Sequence, residues 1–141
     1  IDIEKEGTNF TRYFEKGQLL FGARRAYLKQ MVIAPFNGVC TANIMVFDTK
    51  NDSVLKREYL YLICQSNAFI DYASGTSVGS LFPNAKWKYL KNFEFTLPPI
   101  NEQEELIELY HIIDIQITDL KAQEKNLRKL KSKFLSLMFS K

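Results

Sequence analysis

Apolar residues recur along this chain at two different spacings, and the change from one to the other divides it. In the first 50 residues they come in short runs rich in β-branched and aromatic side chains, at 18–21, 30–34 and 42–47, which read as strands. Gly17, Asn37-Gly38 and Asn51-Asp52 punctuate these runs as turns. From Val54 to about Ala73 the period becomes helical, carried by Leu55, Tyr59, Leu62, Ile63, Phe69 and Ile70, with a break at Ser66-Asn67. Residues 75–80 read as a flexible loop, 85–91 as a short helical turn and 93–97 as a last strand.

The run Leu97-Pro98-Pro99-Ile100-Asn101-Glu102-Gln103 closes this part. Its prolines force extended backbone on Leu97 and Pro98. Asn101 offers an N-cap oxygen, and Glu104 three residues on completes a capping-box pattern. The roughly 40 residues that follow contain no Gly and no Pro, which allows a helix of about 60 Å. Alternating steps of four and three place Leu106, Tyr110, Ile113, Ile117, Leu120, Leu127, Phe134 and Met138 on one seam, interrupted at Glu124 and Lys131. The pattern predicts an α/β protein: a mixed small-sheet domain over 1–100, then one long coiled-coil helix over 101–141.

Charge sharpens the reading of that helix. Up to Leu120 it carries Glu102, Glu104, Glu105, Glu108, Asp114 and Asp119 with no Lys or Arg. From Lys121 it carries Lys121, Lys125, Arg128, Lys129, Lys131, Lys133 and Lys141 against Glu124 alone. The reversal suits the helix dipole, although dipole effects act only within the end turns. Antiparallel pairing with a like helix sets acid against base along the whole length, while parallel pairing sets like against like. An antiparallel partner is expected, either a second copy or a related segment.

Composition bounds the function. The chain has 141 residues, 46% hydrophobic and 25% charged, as expected of one soluble domain plus the helix. No stretch is apolar enough to span a membrane and no signal peptide is visible, so no membrane association is expected. Cys40 and Cys64 stand alone in apolar settings, which reads as buried free thiols in a cytoplasmic protein. The chain starts at Ile1 in a charged segment, so an upstream portion is expected to be missing. The first 100 residues carry twelve Lys and Arg against nine Asp and Glu, too mild an excess to identify a nucleic-acid binder by itself.

Catalytic patterns are scarce. His111, the only histidine, lies beside the helix seam, away from any nucleophile or ligand spacing. The glycines of 75–80 lack the Lys-Ser/Thr of a phosphate loop. Leu97-Pro98-Pro99-Ile100 shares its paired prolines with an amino-methyltransferase motif but lacks the flanking Asn or Asp and the aromatic residue. No metal site and no cofactor are expected.

Two polar clusters remain. Arg24, Arg25, Tyr27 and Lys29 follow a strand and Gly22, and their guanidiniums can fork onto phosphate or guanine edges. The same residues would equally form a solvated hairpin tip. Thr76, Ser77, Ser80, Asn84, Lys86 and Lys88 surround glycines and suit close approach to a sugar-phosphate backbone, or simply mark a flexible loop. Trp87 and Tyr89 read as packing anchors rather than stacking platforms.

In order along the chain, Tyr13-Phe14-Glu15-Lys16-Gly17-Gln18-Leu19-Leu20-Phe21, Arg25-Ala26-Tyr27, Phe36-Asn37-Gly38-Val39-Cys40-Thr41, Gly75-Thr76, Leu90-Lys91-Asn92-Phe93 and the run 97–103 resemble half of the specificity subunit of type I restriction-modification enzymes. The resemblance covers nearly the whole chain, and the last run, placed before a long helix, is its most specific piece. It implies a target recognition domain that reads one half of a split site in double-stranded DNA, joined to a spacer helix. It also implies a subunit without catalysis of its own, which directs a methyltransferase (modification) subunit, and through it a restriction subunit, to that site. In this family two such halves pack their helices antiparallel. One half here implies a fragment or a half-size subunit that dimerises. The competing reading is a coiled-coil protein-interaction module without DNA specificity, which the low net charge favours.

Overall fold

The structure is a computed structural model that describes residues 10–79 and 83–139. Among the described residues, five short strands form two antiparallel sheets. Strand β1 (Phe10–Phe14) pairs with β4 (Gly38–Thr41), with a bulge between Phe10 and Arg12. Strand β2 (Leu19–Gly22) lies between β3 (Met31–Ile33) and β5 (Ile44–Phe47). The predicted runs 18–21, 30–34 and 42–47 thus become β2, β3 and β5, while β1 and β4 were not anticipated.

Strand β2 organises the core because both of its faces are used. Leu19 and Phe21 enter the larger cluster with Ala23, Met45, Cys64, Phe69, Ile70, Ala73 and Leu90. Leu20, pointing the other way as strand alternation requires, packs against the smaller cluster of Phe14, Ala34 and Cys40. Phe21 is fully buried. It stacks on Phe47 at 5.6 Å and meets Phe69 edge-on at 5.5 Å, burial that stabilises by about 1.5–3 kcal/mol. Both cysteines are buried free thiols, as their isolation predicted, and burial pushes the Cys64 thiol up to about 12. Gly17 turns the chain from β1 into β2 at φ 90°, a conformation costly for any residue with a Cβ.

The predicted helical stretch forms two helices, α1 (Arg57–Gln65) and α2 (Asn67–Gly75). They part at Ser66, whose backbone is extended and whose Oγ accepts the Phe69 N–H at 3.2 Å as an N-cap. Helix α3 (Trp87–Leu90) is the expected short turn. Residues 93–97 form no strand. Their alternating aromatics serve a ring cluster instead, with Phe93 at 5.2 Å from Phe69, 5.3 Å from Tyr72 and 6.2 Å from Phe95.

Helix α4 runs unbroken from Ile100 to Phe139, 40 residues. Its start departs from the expected capping box. The carbonyl of Pro99 accepts the Gln103 N–H at 3.1 Å, so Pro99 closes the first turn and Asn101 lies inside it. Glu104 does not turn back on Asn101; its carboxylate meets the Lys56 ammonium at 2.8 Å. By internal contacts the chain falls into two compact units, Ile1–Glu104 and Glu105–Lys141, so this first turn belongs with the sheets. Among the described residues no helix is long and apolar enough to cross a membrane.

Candidate nucleic-acid interface

The two polar clusters, some fifty residues apart in sequence, are stitched together by backbone. Beyond β2 the chain stays extended, and Ala23 accepts from the Ala85 N–H at 2.8 Å while the Arg25 N–H donates to Pro83 at 2.9 Å. Arg24 and Asn84 face each other across this antiparallel bridge. Asn84 bridges in turn to Val78, with bonds of 3.1 and 3.0 Å in the two directions. The segment after α2 is therefore tied down rather than the loose loop expected: Gly75 closes the helix and Val78 is paired. Three strips of backbone, around Arg24, Val78 and Asn84, make one edge.

The side chains of the two clusters differ in exposure and in the internal bonds they make. Arg24, Tyr27, Lys86 and Lys88 are exposed, Tyr27 by 53%. Arg25 is half-buried and left-handed at φ 56°; Lys29 is left-handed too at φ 51°. This pair brackets the 3₁₀ turn Ala26–Leu28, and for residues with a Cβ such backbone costs about 1–2 kcal/mol each. Lys29 also anchors the turn, because its ammonium donates to the Gln65 carbonyl at 3.1 Å and to Asn67 Oδ1 at 2.8 Å. The Thr76 hydroxyl donates to Tyr72 and the Ser77 hydroxyl to Ala73, each at 2.7 Å, so both extend the hydrogen bonding at the end of α2. Asn84 Oδ1 is buried and has no hydrogen-bond partner among the described residues. The Lys88 ammonium lies 4.6 Å from the centre of the Tyr89 ring. Ser80 lies outside the described residues. The edge thus joins Arg24, Arg25, Asn84 and the segment 76–78, with Lys86 and Lys88 following directly along the chain, whereas Lys29 is drawn to the α1–α2 junction.

The sequence pattern of the type I restriction modification DNA specificity domain family (Methylase_S) matches residues 2–130. The chain belongs to this family. The EcoDI specificity subunit of Escherichia coli, a type I restriction enzyme component, is 29% identical over 105 residues, covering 74% of this chain and 23% of that protein. The HsdS subunit from Thermoanaerobacter tengcongensis aligns with 89% of this chain and 33% of its own at a TM-score of 0.73 and 17% identity. A chain from a type I R-M system, solved to explain complex assembly and conformational transition, covers 95% of this chain and 35% of its own at TM-score 0.80 and 17% identity. At such identity the likeness is one of fold: small antiparallel sheets followed by a long helix. This specificity domain spans 23% to 35% of the length of these relatives.

Three residues of the domain carry more than their sequence suggested. Trp87, read as a packing anchor, is 60% exposed and touches Phe47 at a ring separation of 5.9 Å. Its place between two exposed lysines was the available signal. Tyr89 is the anchor of the pair, half-buried with its carbonyl accepting the Tyr72 hydroxyl at 3.1 Å. Arg12 donates to the Ile44 carbonyl at 2.8 Å, and Gln103 is buried at the foot of α4. Among the described residues no group of three or more His, Cys, Asp or Glu could hold a metal ion. An apolar cavity of about 430 Å³ beside Phe47, Leu60, Cys64 and Trp87 has Asp48 as the one carboxylate among its described lining residues, and that is committed to Arg57 at 2.6 Å.

Proposed function

We propose that this specificity domain is a non-catalytic DNA reader that directs the methyltransferase subunit, and through it the restriction subunit, of a type I restriction-modification enzyme to one half of a bipartite site. The observation that carries the reading is the backbone bridge that sets Arg24 beside Asn84 in a member of this family, with Lys86 and Lys88 following directly along the chain. Lys86 and Lys88 would neutralise phosphates and set register, and Arg24 or Arg25 would reach a base edge. Tyr27 stands beside them for apolar or stacking contact. Lys29, Thr76 and Ser77 hold the frame, since their polar hydrogens already serve internal bonds. No cofactor is required of this chain.

The second half of the reader would come through α4. Every residue from His111 to Phe139 is exposed, among them Ile113, Ile117, Leu120, Leu127 and Phe134 of the predicted seam. So much apolar surface along one helix calls for a covering partner, and the charge reversal favours an antiparallel second copy.

Selection from a random duplex library, followed by salt titration of the selected DNA, tests the proposal. A DNA reader enriches a defined half-site, and its binding constant falls with salt by a log–log slope of about 0.9 per phosphate neutralised. Arg24→Ala should relax one base position, losing about 1–3 kcal/mol there. Lys86→Ala should weaken all sequences alike and reduce the slope by about one. No enriched sequence and salt-insensitive behaviour would overturn the proposal in favour of a protein-interaction module.

A further inference from the structure

Gln103 is a fully buried polar side chain, 0% exposed. Its Nε2 donates to the carbonyls of Val54 and Pro98, both at 2.9 Å, and its Oε1 accepts the Lys56 N–H at 3.0 Å. Its own N–H donates to Pro99 as the opening bond of α4. One amide thereby ties together the turn that leads into α1, the proline strap and the first turn of the long helix. Lys56 adds its 2.8 Å ion pair to Glu104 on the same turn.

An apolar side chain in this place would also hold the helix by burial, but burial is non-directional. An amide whose two donors and one acceptor are all used permits one geometry, because any rotation of the helix strands buried polar groups without water. The strap on the other side is stiff, with two consecutive prolines. The bonds of Gln103 thus hold the first turn of α4 within the recognition domain.

We infer that Gln103 is a positioning residue that fastens the first turn of α4 to the recognition domain and so restricts the spacing between half-sites that a two-part reader accepts. The inference rests on the DNA-reading proposal above. Leverage makes it quantitative. Over a helix of about 60 Å, a tilt of about 3° at the foot moves the far end by about 3 Å, close to the ~3.4 Å rise of one base pair. A joint that yields by a few degrees would admit the neighbouring spacings.

The test compares wild type with Gln103→Leu, which keeps apolar bulk and removes the amide, and with Gln103→Glu, which keeps the acceptor for Lys56 but turns carboxylate oxygen toward two carbonyls. The full chain is titrated against duplexes carrying two selected half-sites at a series of spacings. Wild type should prefer one spacing by roughly tenfold over its neighbours, and the variants should fall to about two- to threefold, with binding to a single half-site unchanged. A folded Gln103→Leu or Gln103→Glu protein that keeps the wild-type spacing profile would overturn the inference. If no protein binds DNA, hydrogen exchange of the amides of residues 104–108 decides. Faster exchange in either variant upholds the joint while the DNA-reading proposal falls; equal exchange removes both.

Discussion

Asp48 shows how one side chain joins a strand to a helix. Its Oδ1 accepts from Arg57 Nε at 2.6 Å and from the Thr49 N–H at 2.8 Å, and its Oδ2 accepts from Gln18 at 3.0 Å. Partial burial works against its charge, but the hydrogen bonds from Arg57, Gln18 and Thr49, with the guanidinium charge, hold the carboxyl below its ordinary 3.8. A depressed folded value stabilises the protein above the unfolded value, and that contribution disappears as pH falls through the folded one. Asp48→Asn should therefore be less stable than wild type at pH 7, with the gap in urea midpoint closing as pH falls below the ordinary carboxylate value of about 3.9. A gap independent of pH would mean that Asp48 acts through shape alone. At the candidate edge, residue types were legible but their commitments were not. Arginines, lysines and hydroxyls announced a polar surface, yet Lys29 finds its partners 36 and 38 residues away. Trp87 gave no local sign of its exposure beyond the lysines on either side.

Regular elements were legible where packing and local preference agree. Strands β2, β3 and β5 are apolar runs, and α1, α2 and α4 follow helical periods, so their positions emerge without tertiary information. Strands β1 and β4 escaped because they carry little signal of their own. One is bulged between Phe10 and Arg12, and the other opens at Gly38 directly after a turn. Residues 93–97 failed the opposite way: their period-two alternation serves ring packing rather than strand pairing. Helix α4 follows its prediction as far as Phe139, the last described residue, and its apolar residues beyond the seam, Leu109, Ile112 and Leu130, are exposed as well. Leu120→Asp tests whether that surface pairs. The side chain is exposed in the single chain, so the circular dichroism should be unchanged. In a two-fold antiparallel pair each copy loses a buried Leu worth about 1.5–3 kcal/mol, which weakens self-association by roughly a hundredfold or more. Sedimentation equilibrium reads this directly, and an unchanged dissociation constant would remove Leu120 from any interface.

On the proposed reading, charge is distributed so that helix pairing and DNA attraction would not compete. The first 100 residues hold twelve Lys and Arg against nine Asp and Glu, while residues 101–141 hold seven of each. When two helices lie antiparallel their acidic and basic halves neutralise each other, leaving the excess positive charge on the two recognition domains. One domain with so small an excess can release few counterions and should bind DNA weakly. Two joined domains release twice as many, and the second contact forms at the high effective concentration set by the helices. Wild type should therefore bind a duplex carrying both half-sites with about twice the salt slope that it shows on a single half-site. The Leu120→Asp protein should bind both duplexes alike, with the smaller slope and the weaker affinity. Equal slopes and affinities for wild type and Leu120→Asp on the split duplex would mean that one recognition domain suffices and that the long helix serves some other contact. A doubled slope that vanishes with Leu120 would tie DNA reading to helix pairing, because no residue of the Arg24–Asn84 edge has been altered.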